Sequence, residues 1–104
     1  MEVIYFNQTI KEFLDKLVGL HQTSIYRAMA MVERYGHMVG LPFSRPLGGG
    51  LFELRGKGSI HVRLLHCFRH DCVYILHGFI KKSTRIHTSD LLIAKSRMGQ
   101  LDGK

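Results

Sequence analysis

The stretch LFELRGKGSIHVRLLHCFRHDCVYILHGFIKK, residues 51–82, decides the fold. Three segments within it, Leu51 to Arg55, Ile60 to Phe68 and Cys72 to Ile80, are short and rich in Leu, Ile, Val, Phe and Tyr, as strands are. Gly56-Lys57-Gly58 separates the first pair and Arg69-His70-Asp71 the second. These are residue types that let a chain reverse, so the stretch predicts a three-stranded antiparallel meander of two hairpins. Val73-Tyr74-Ile75-Leu76 is apolar without a break, which suits a central strand covered on both faces.

Moving outward, residues 39–50 hold Pro42, Pro46 and the Gly48-Gly49-Gly50 run, and they read as a loop. The glycine triplet lacks the lysine and the following helix of a phosphate-binding loop. Glu2 to Phe6 suits an N-terminal strand. Thr9 stands as an N-cap with Glu12 three residues on, and Phe13, Leu14, Leu17 and Val18 follow at helical spacing. A second helix is expected from Thr23 or Ser24 through Ile25, Ala28, Met29, Val32 and Tyr35, with Gly36 ending it in the left-handed conformation. Thr88 or Ser89 caps a last helix through Leu91, Leu92, Ala94 and Lys95 that stops before Gly99. The order is strand, two antiparallel helices, meander, helix. That predicts an α+β fold, one domain over residues 1–104, with helices segregated against a mainly antiparallel sheet.

Of the 104 residues 45% are hydrophobic and 22% charged, a composition that excludes intrinsic disorder. No run approaches the roughly 18 to 20 apolar residues of a membrane span. Glu2, Asn7 and Lys11 do not fit a signal peptide, so a cytoplasmic protein is expected, with Cys67 and Cys72 as free thiols. The net charge is +7, and it is uneven. Residues 1–50 carry five Lys/Arg against four acids, residues 51–104 ten against four. Charge so concentrated attracts a polyanion through counterion release.

Side-chain alternation puts Glu53 and Arg55 on one face of their strand, and His61 and Arg63 on one face of the next. If Arg55 pairs with His61, Glu53 lies opposite Arg63 and all four converge. If Arg55 pairs with Ile60, the two pairs face apart. The first register keeps the charged groups out of the core and is the one expected. Lys81, Lys82 and Arg85 add cations after the last strand, and His87 follows. Such a face can bind a phosphodiester, neutralise the charge that builds during its cleavage, and exchange protons. RNA suits this chemistry because its 2′-OH is an internal nucleophile. Seven histidines invite a metal reading, yet neither HExxH nor paired CxxC motifs occur, and no metal or cofactor is expected. His77, deep in a strand, reads as a core histidine.

The sequence of blocks then becomes informative: Tyr35-Gly36, Leu41-Pro42, Leu47-Gly-Gly-Gly50, Leu51-Phe52-Glu53-Leu54-Arg55, Arg63, Leu76-His77-Gly78-Phe79-Ile80-Lys81-Lys82, and a helix with Ala94 and Arg97. From about Ile4 to Met98 it resembles the phage-derived Gp49-like, HigB-type branch of the RelE/ParE toxin superfamily. The resemblance implies a small RelE-like α+β domain and the toxin of a type II toxin–antitoxin pair, cleaving mRNA in the ribosomal A site without a metal. It also implies neutralisation by a helix-turn-helix antitoxin, through which alone operator DNA would be contacted. Carried over by position, Arg55 and Arg63 match phosphate-contacting arginines, and Lys81 and Lys82 match the lysine pair closing the last strand. His87 lies where some branches carry a proton-transfer residue. The catalytic set expected is therefore Arg55, Arg63, Lys81, Lys82, Glu53 and His87, with Lys57, His61, Arg69, Arg85 and Lys95 binding or steering RNA. The chain departs from its relatives in having His87-Thr88 where a proline is usual and His66 where a tyrosine is common. Two other functions stay open on the same fold and charge: a ParE-like inhibitor of DNA gyrase, and a non-catalytic nucleic-acid-binding regulator.

Overall fold

The computed structural model describes residues 1–103. The elements run β1 (Glu2–Tyr5), α1 (Gln8–Asp15), α2 (Gly19–Tyr35), a single 3-10 turn (Gly36–Met38), β2 (Ser44–Gly48), β3 (Leu51–Arg55), β4 (His61–Arg69), β5 (Cys72–Lys81) and α3 (Thr88–Leu101). The strands form one five-stranded sheet in the order β1-β5-β4-β3-β2. β1 runs parallel to β5, and the other neighbours are antiparallel. The expected α+β class holds, but the expected three-stranded meander is the middle of a larger mixed sheet. β2 falls where a loop was expected, because Pro46 and Gly48 argue against a strand. The strand is tolerated because it is the sheet edge, paired only with β3, and a missing N–H there removes no ladder bond on the open side.

Side-chain alternation sorts the core into two layers. Leu54, Val62, Leu64, Val73 and Ile75 pack against Ile10 and Leu14 of α1 and Ile25, Ala28, Met29 and Val32 of α2. Leu51, Leu65, Cys67 and Leu76 pack against Ala94 of α3 on the opposite face. β4 is the central strand, and β5, flanked by β1 and β4, is an interior strand, as its apolar run requires. It carries one irregularity: Leu65 pairs with His77 while His66 pairs with Ile75, so Leu76 has no partner and forms a bulge. The extra residue resets the alternation. His77, Phe79 and Lys81 therefore share the face of Leu65, Arg63 and His61, their partners on β4. Gly78 then turns toward α1, where an added Cβ would lie 2.8 Å from Phe13 Cδ2 and 2.9 Å from Leu64 Cδ2, so only glycine fits without repacking.

The helix boundaries differ from the sequence expectation at the caps. α1 is capped by Asn7, whose Oδ1 accepts from Ile10 N at 3.1 Å, rather than by Thr9. α2 starts at Gly19, a turn before Thr23 and Ser24, and Val18 provides no side-chain cap. Those two hydroxyls are used elsewhere: Thr23 donates to Gly19 O, and Ser24 bonds to Lys57 in the β3–β4 loop. Gly36 ends α2 with the expected positive φ, 60°, but at ψ −132°, outside the left-handed helical well. α3 is capped by His87 and runs through Gly99 to Leu101. Cys67 and Cys72 are free thiols. Among the described residues no helix is long and apolar enough to cross a membrane.

One buried group makes the fold sensitive to acid. His66 is fully buried, stacked on Phe52 at 5.5 Å and edge-on to Phe68, with no hydrogen-bond partner for either ring nitrogen among the described residues. Burial, helped by nearby His37, lowers its pKa from 6.5 to about 3. Between those values the unfolded chain takes up a proton that the folded chain refuses, so stability falls as the pH drops through that window. The slope from this group reaches up to ~1.4 kcal/mol per pH unit. Urea unfolding at pH 7 and pH 4.5 should show a larger acid loss for the parent than for His66→Phe, which places an uncharged ring in the same aromatic cluster. Equal losses would remove His66 as the cause.

Candidate functional site

The site forms at one end of the three neighbouring strands β3, β4 and β5. β3 brings Arg55, β4 brings His61 and Arg63, and the end of β5 brings Lys81 and Lys82. Together with Ser83 and Thr84 they line an open hollow of about 450 Å³. The register differs from the expected one by two residues: Arg55 pairs with Arg63 and Glu53 with Leu65. A shift of two preserves which face each side chain takes, so the charged residues converge as expected. The displacement comes from the β3–β4 loop, which keeps Ile60 out of the ladder. Ser24 holds this loop to α2, donating to Lys57 O at 2.9 Å and accepting from Lys57 N at 2.8 Å. His21 adds a second tie, lying 3.2 Å from Ser59 Oγ and accepting from Ile60 N at 3.4 Å.

Beneath the hollow lies Glu53, fully buried. Arg45 of β2 donates to its Oε1 at 2.7 Å, Arg55 Nε stands 3.9 Å from the same oxygen, and Arg63 Nε is 3.7 Å from Oε2. Only the first contact is a hydrogen bond; the other two are charge attractions, and among the described residues Glu53 Oε2 and Arg63 Nε have no hydrogen-bond partner. Sequence reasoning offered Glu53 as an acid or base. Its burial under three guanidinium groups gives it no surface in the hollow, and its place is that of their shared counter-ion. Arg45 was missed because its strand read as a loop.

Arg63 is almost as buried, 4% exposed, and donates through Nη1 to Val62 O at 2.9 Å and Gly56 O at 3.3 Å. Burial lowers its pKa; Glu53 opposes that, and Arg55 and Arg45 add to it. A guanidinium starts so high that it remains charged at neutral pH. Among the described residues no ion pair ties Lys81 or Lys82. The hollow therefore presents arginine and lysine donors, two hydroxyls and the His61 imidazole, with no carboxylate in its lining among the described residues.

The other expected residues lie around it. Lys57 borders a small apolar recess beside Arg55. His87 caps α3, its Nδ1 accepting from Ser89 N at 3.1 Å, and lines a neighbouring hollow with Lys81, Lys82, Arg85 and Asp90 rather than the one holding Arg55 and Arg63. Arg85 and Lys95 border a further depression with Arg45 and Thr84. Arg69 sits at the other end of β4, held by both oxygens of Asp102 at 2.8 and 3.1 Å. His77, read as a core histidine, is a half-buried tie from β5 to α3, with Nε2 2.8 Å from Asp90 Oδ1. Among the described residues no group of three His, Cys, Asp or Glu side chains is placed to hold a metal ion.

Fold and site together define a small α+β domain whose mixed sheet ends in an open cationic hollow built over one buried carboxylate. The chain belongs to the phage-derived protein Gp49-like family, whose profile matches residues 12–99, and so to the HigB/RelE-like toxin group. The matched span runs from α1 to the last turn of α3 and contains every residue of the hollow. No curated protein matches the chain.

Proposed function

We propose that the chain is the toxin of a type II toxin–antitoxin pair and acts in the cytoplasm as a metal-independent, ribosome-dependent mRNA endoribonuclease. The observation that carries the reading is the hollow itself: Arg55, Arg63, Lys81 and Lys82 around one concavity, with the Glu53 carboxylate buried beside the two arginines. Such a cluster suits a phosphodiester gaining negative charge. In the proposed step the 2′-oxygen attacks phosphorus, its proton passes to a base, the P–O5′ bond breaks, and the leaving 5′-oxygen is protonated. Arg55 and Arg63 hold the non-bridging oxygens as charge builds on them. Lys81 or Lys82 supports or protonates the leaving oxygen. His61 lines the same hollow and can both accept and donate a proton, which makes it a better placed base than Glu53 or His87. The ribosome would supply the orientation that flexible RNA lacks, and a helix-turn-helix antitoxin would neutralise the toxin and carry it to operator DNA.

Inducing the chain in translating cells and mapping transcript ends by primer extension tests the reading. New 5′ ends within translated messages are expected within minutes. Intact messages with DNA damage would point to gyrase, and intact messages without damage to a non-catalytic binding module.

A further inference from the structure

Beside the hollow, on the far side of Arg55, lies a recess of about 110 Å³ lined by Leu20, Thr23, Ser24, Arg27, Pro42, Phe43, Arg55 and Lys57. Its walls are mostly apolar, and Leu20, one of the residues that line it, is 62% exposed. Three cations, Arg27, Arg55 and Lys57, edge the recess, and among the described residues no acid lines it. The geometry points to a nucleobase subsite: the recess takes the base of a nucleotide flanking the phosphate held in the main hollow. This inference rests on the RNA-cleaving reading of that hollow.

Three observations favour a base. Arg55 lines both cavities, so a strand whose phosphate it holds has the recess next along its path. The volume suits one planar ring rather than a helix or a long side chain. Apolar walls within a cationic rim match a nucleotide, whose ring is apolar on its faces and whose backbone is anionic. The recess is also preformed, because the two bonds between Ser24 and Lys57 fix α2 against the loop that carries Lys57. Ser24 is thereby committed. Thr23 has given its proton to Gly19 O and offers only acceptor lone pairs, which favours a base edge bearing an N–H donor.

The test uses the full chain, isotope-labelled, titrated by NMR with a 2′-O-methyl tetranucleotide that cannot be cleaved. Two further oligonucleotides of equal charge lack the base on one or the other side of the central linkage. One of these should bind the parent roughly tenfold more weakly than the complete oligonucleotide. In Leu20→Gln, an exposed first-turn change that leaves the charge and the core alone, the complete oligonucleotide should fall to within about twofold of that abasic one. The abasic oligonucleotide should bind both proteins alike. An equal penalty for base removal in parent and Leu20→Gln, or no penalty at either position, overturns the inference. So does a Leu20→Gln chain that binds RNA normally but escapes a neutralising protein, since the recess would then be a protein-docking site. If binding is lost in Lys81→Ala yet ignores base removal, the recess inference fails alone. If the parent binds no oligonucleotide even at millimolar concentration and transcripts stay intact, the reading of the hollow fails with it.

Discussion

Arg55→Ala should abolish growth inhibition and lower transcript cleavage by at least about a hundredfold, the usual cost of removing one donor that stabilises developing charge. Its stability should stay within ~1 kcal/mol of the parent, as for surface ion pairs. Both expectations come from where the side chain sits. It is about one-third exposed and 3.9 Å from Glu53 Oε1, a separation at which its attraction to the carboxylate is weak. Removing it leaves Glu53 hydrogen-bonded to Arg45 at 2.7 Å, so no buried charge is abandoned. Arg63→Ala is expected to be inactive as well, but it also deletes two donors to backbone carbonyls and mixes folding with chemistry. Growth curves and primer extension, set beside a thermal melt, read the two effects of Arg55→Ala separately. Full toxicity in this variant would show that the proposed hollow is not the site.

Glu53→Gln should destabilise the fold by about 3 kcal/mol, because breaking a buried ion pair from one side leaves the other charge without compensation. For a domain of this size that corresponds to a fall in Tm of at least roughly 10 °C. Arg45 and Arg55 can swing into solvent, but Arg63 is 4% exposed and cannot. Its guanidinium, already disfavoured by burial, would lose the carboxylate that supports its charge. The same reasoning predicts strong coupling. In an Arg63→Met background, Glu53→Gln should cost at least ~1.5 kcal/mol less than in the parent, which a double-mutant cycle on urea unfolding measures. Additive losses would mean that Glu53 stabilises the fold through Arg45 alone. A normally stable Glu53→Gln that had lost only cleavage would return the residue to direct chemistry.

How much of this was legible in the sequence depended on whether the cause was local. Hydrophobic runs and turn residues gave the three meander strands, and period-two alternation was enough to place Glu53, Arg55, His61 and Arg63 on one face. The pairing partner was missed by two residues because the β3–β4 loop is shaped by Ser24 and His21, more than 30 positions away. Pro46 hid β2, and with it Arg45, since local propensity does not reveal that a strand will lie at a sheet edge. Glu53 was read as a reactive carboxylate because the sequence shows its charge and not its burial. The family blocks marked the arginines and lysines correctly as neighbours, and the Gp49-like family match agrees with that recognition.

The bulge at Leu76 makes the cation at the end of β5 a matter of strand phase. A one-residue deletion between the Cys72 turn and His77 that left the bulge in place would carry Lys82 to the place of Lys81. Tandem lysines thus insure the hollow against slippage, since either phase delivers an ammonium group. The packing has no such insurance: the same slip would put Phe79 where Gly78 now admits the Phe13 ring. For insertions and deletions in this strand, the core is therefore less forgiving than the chemistry.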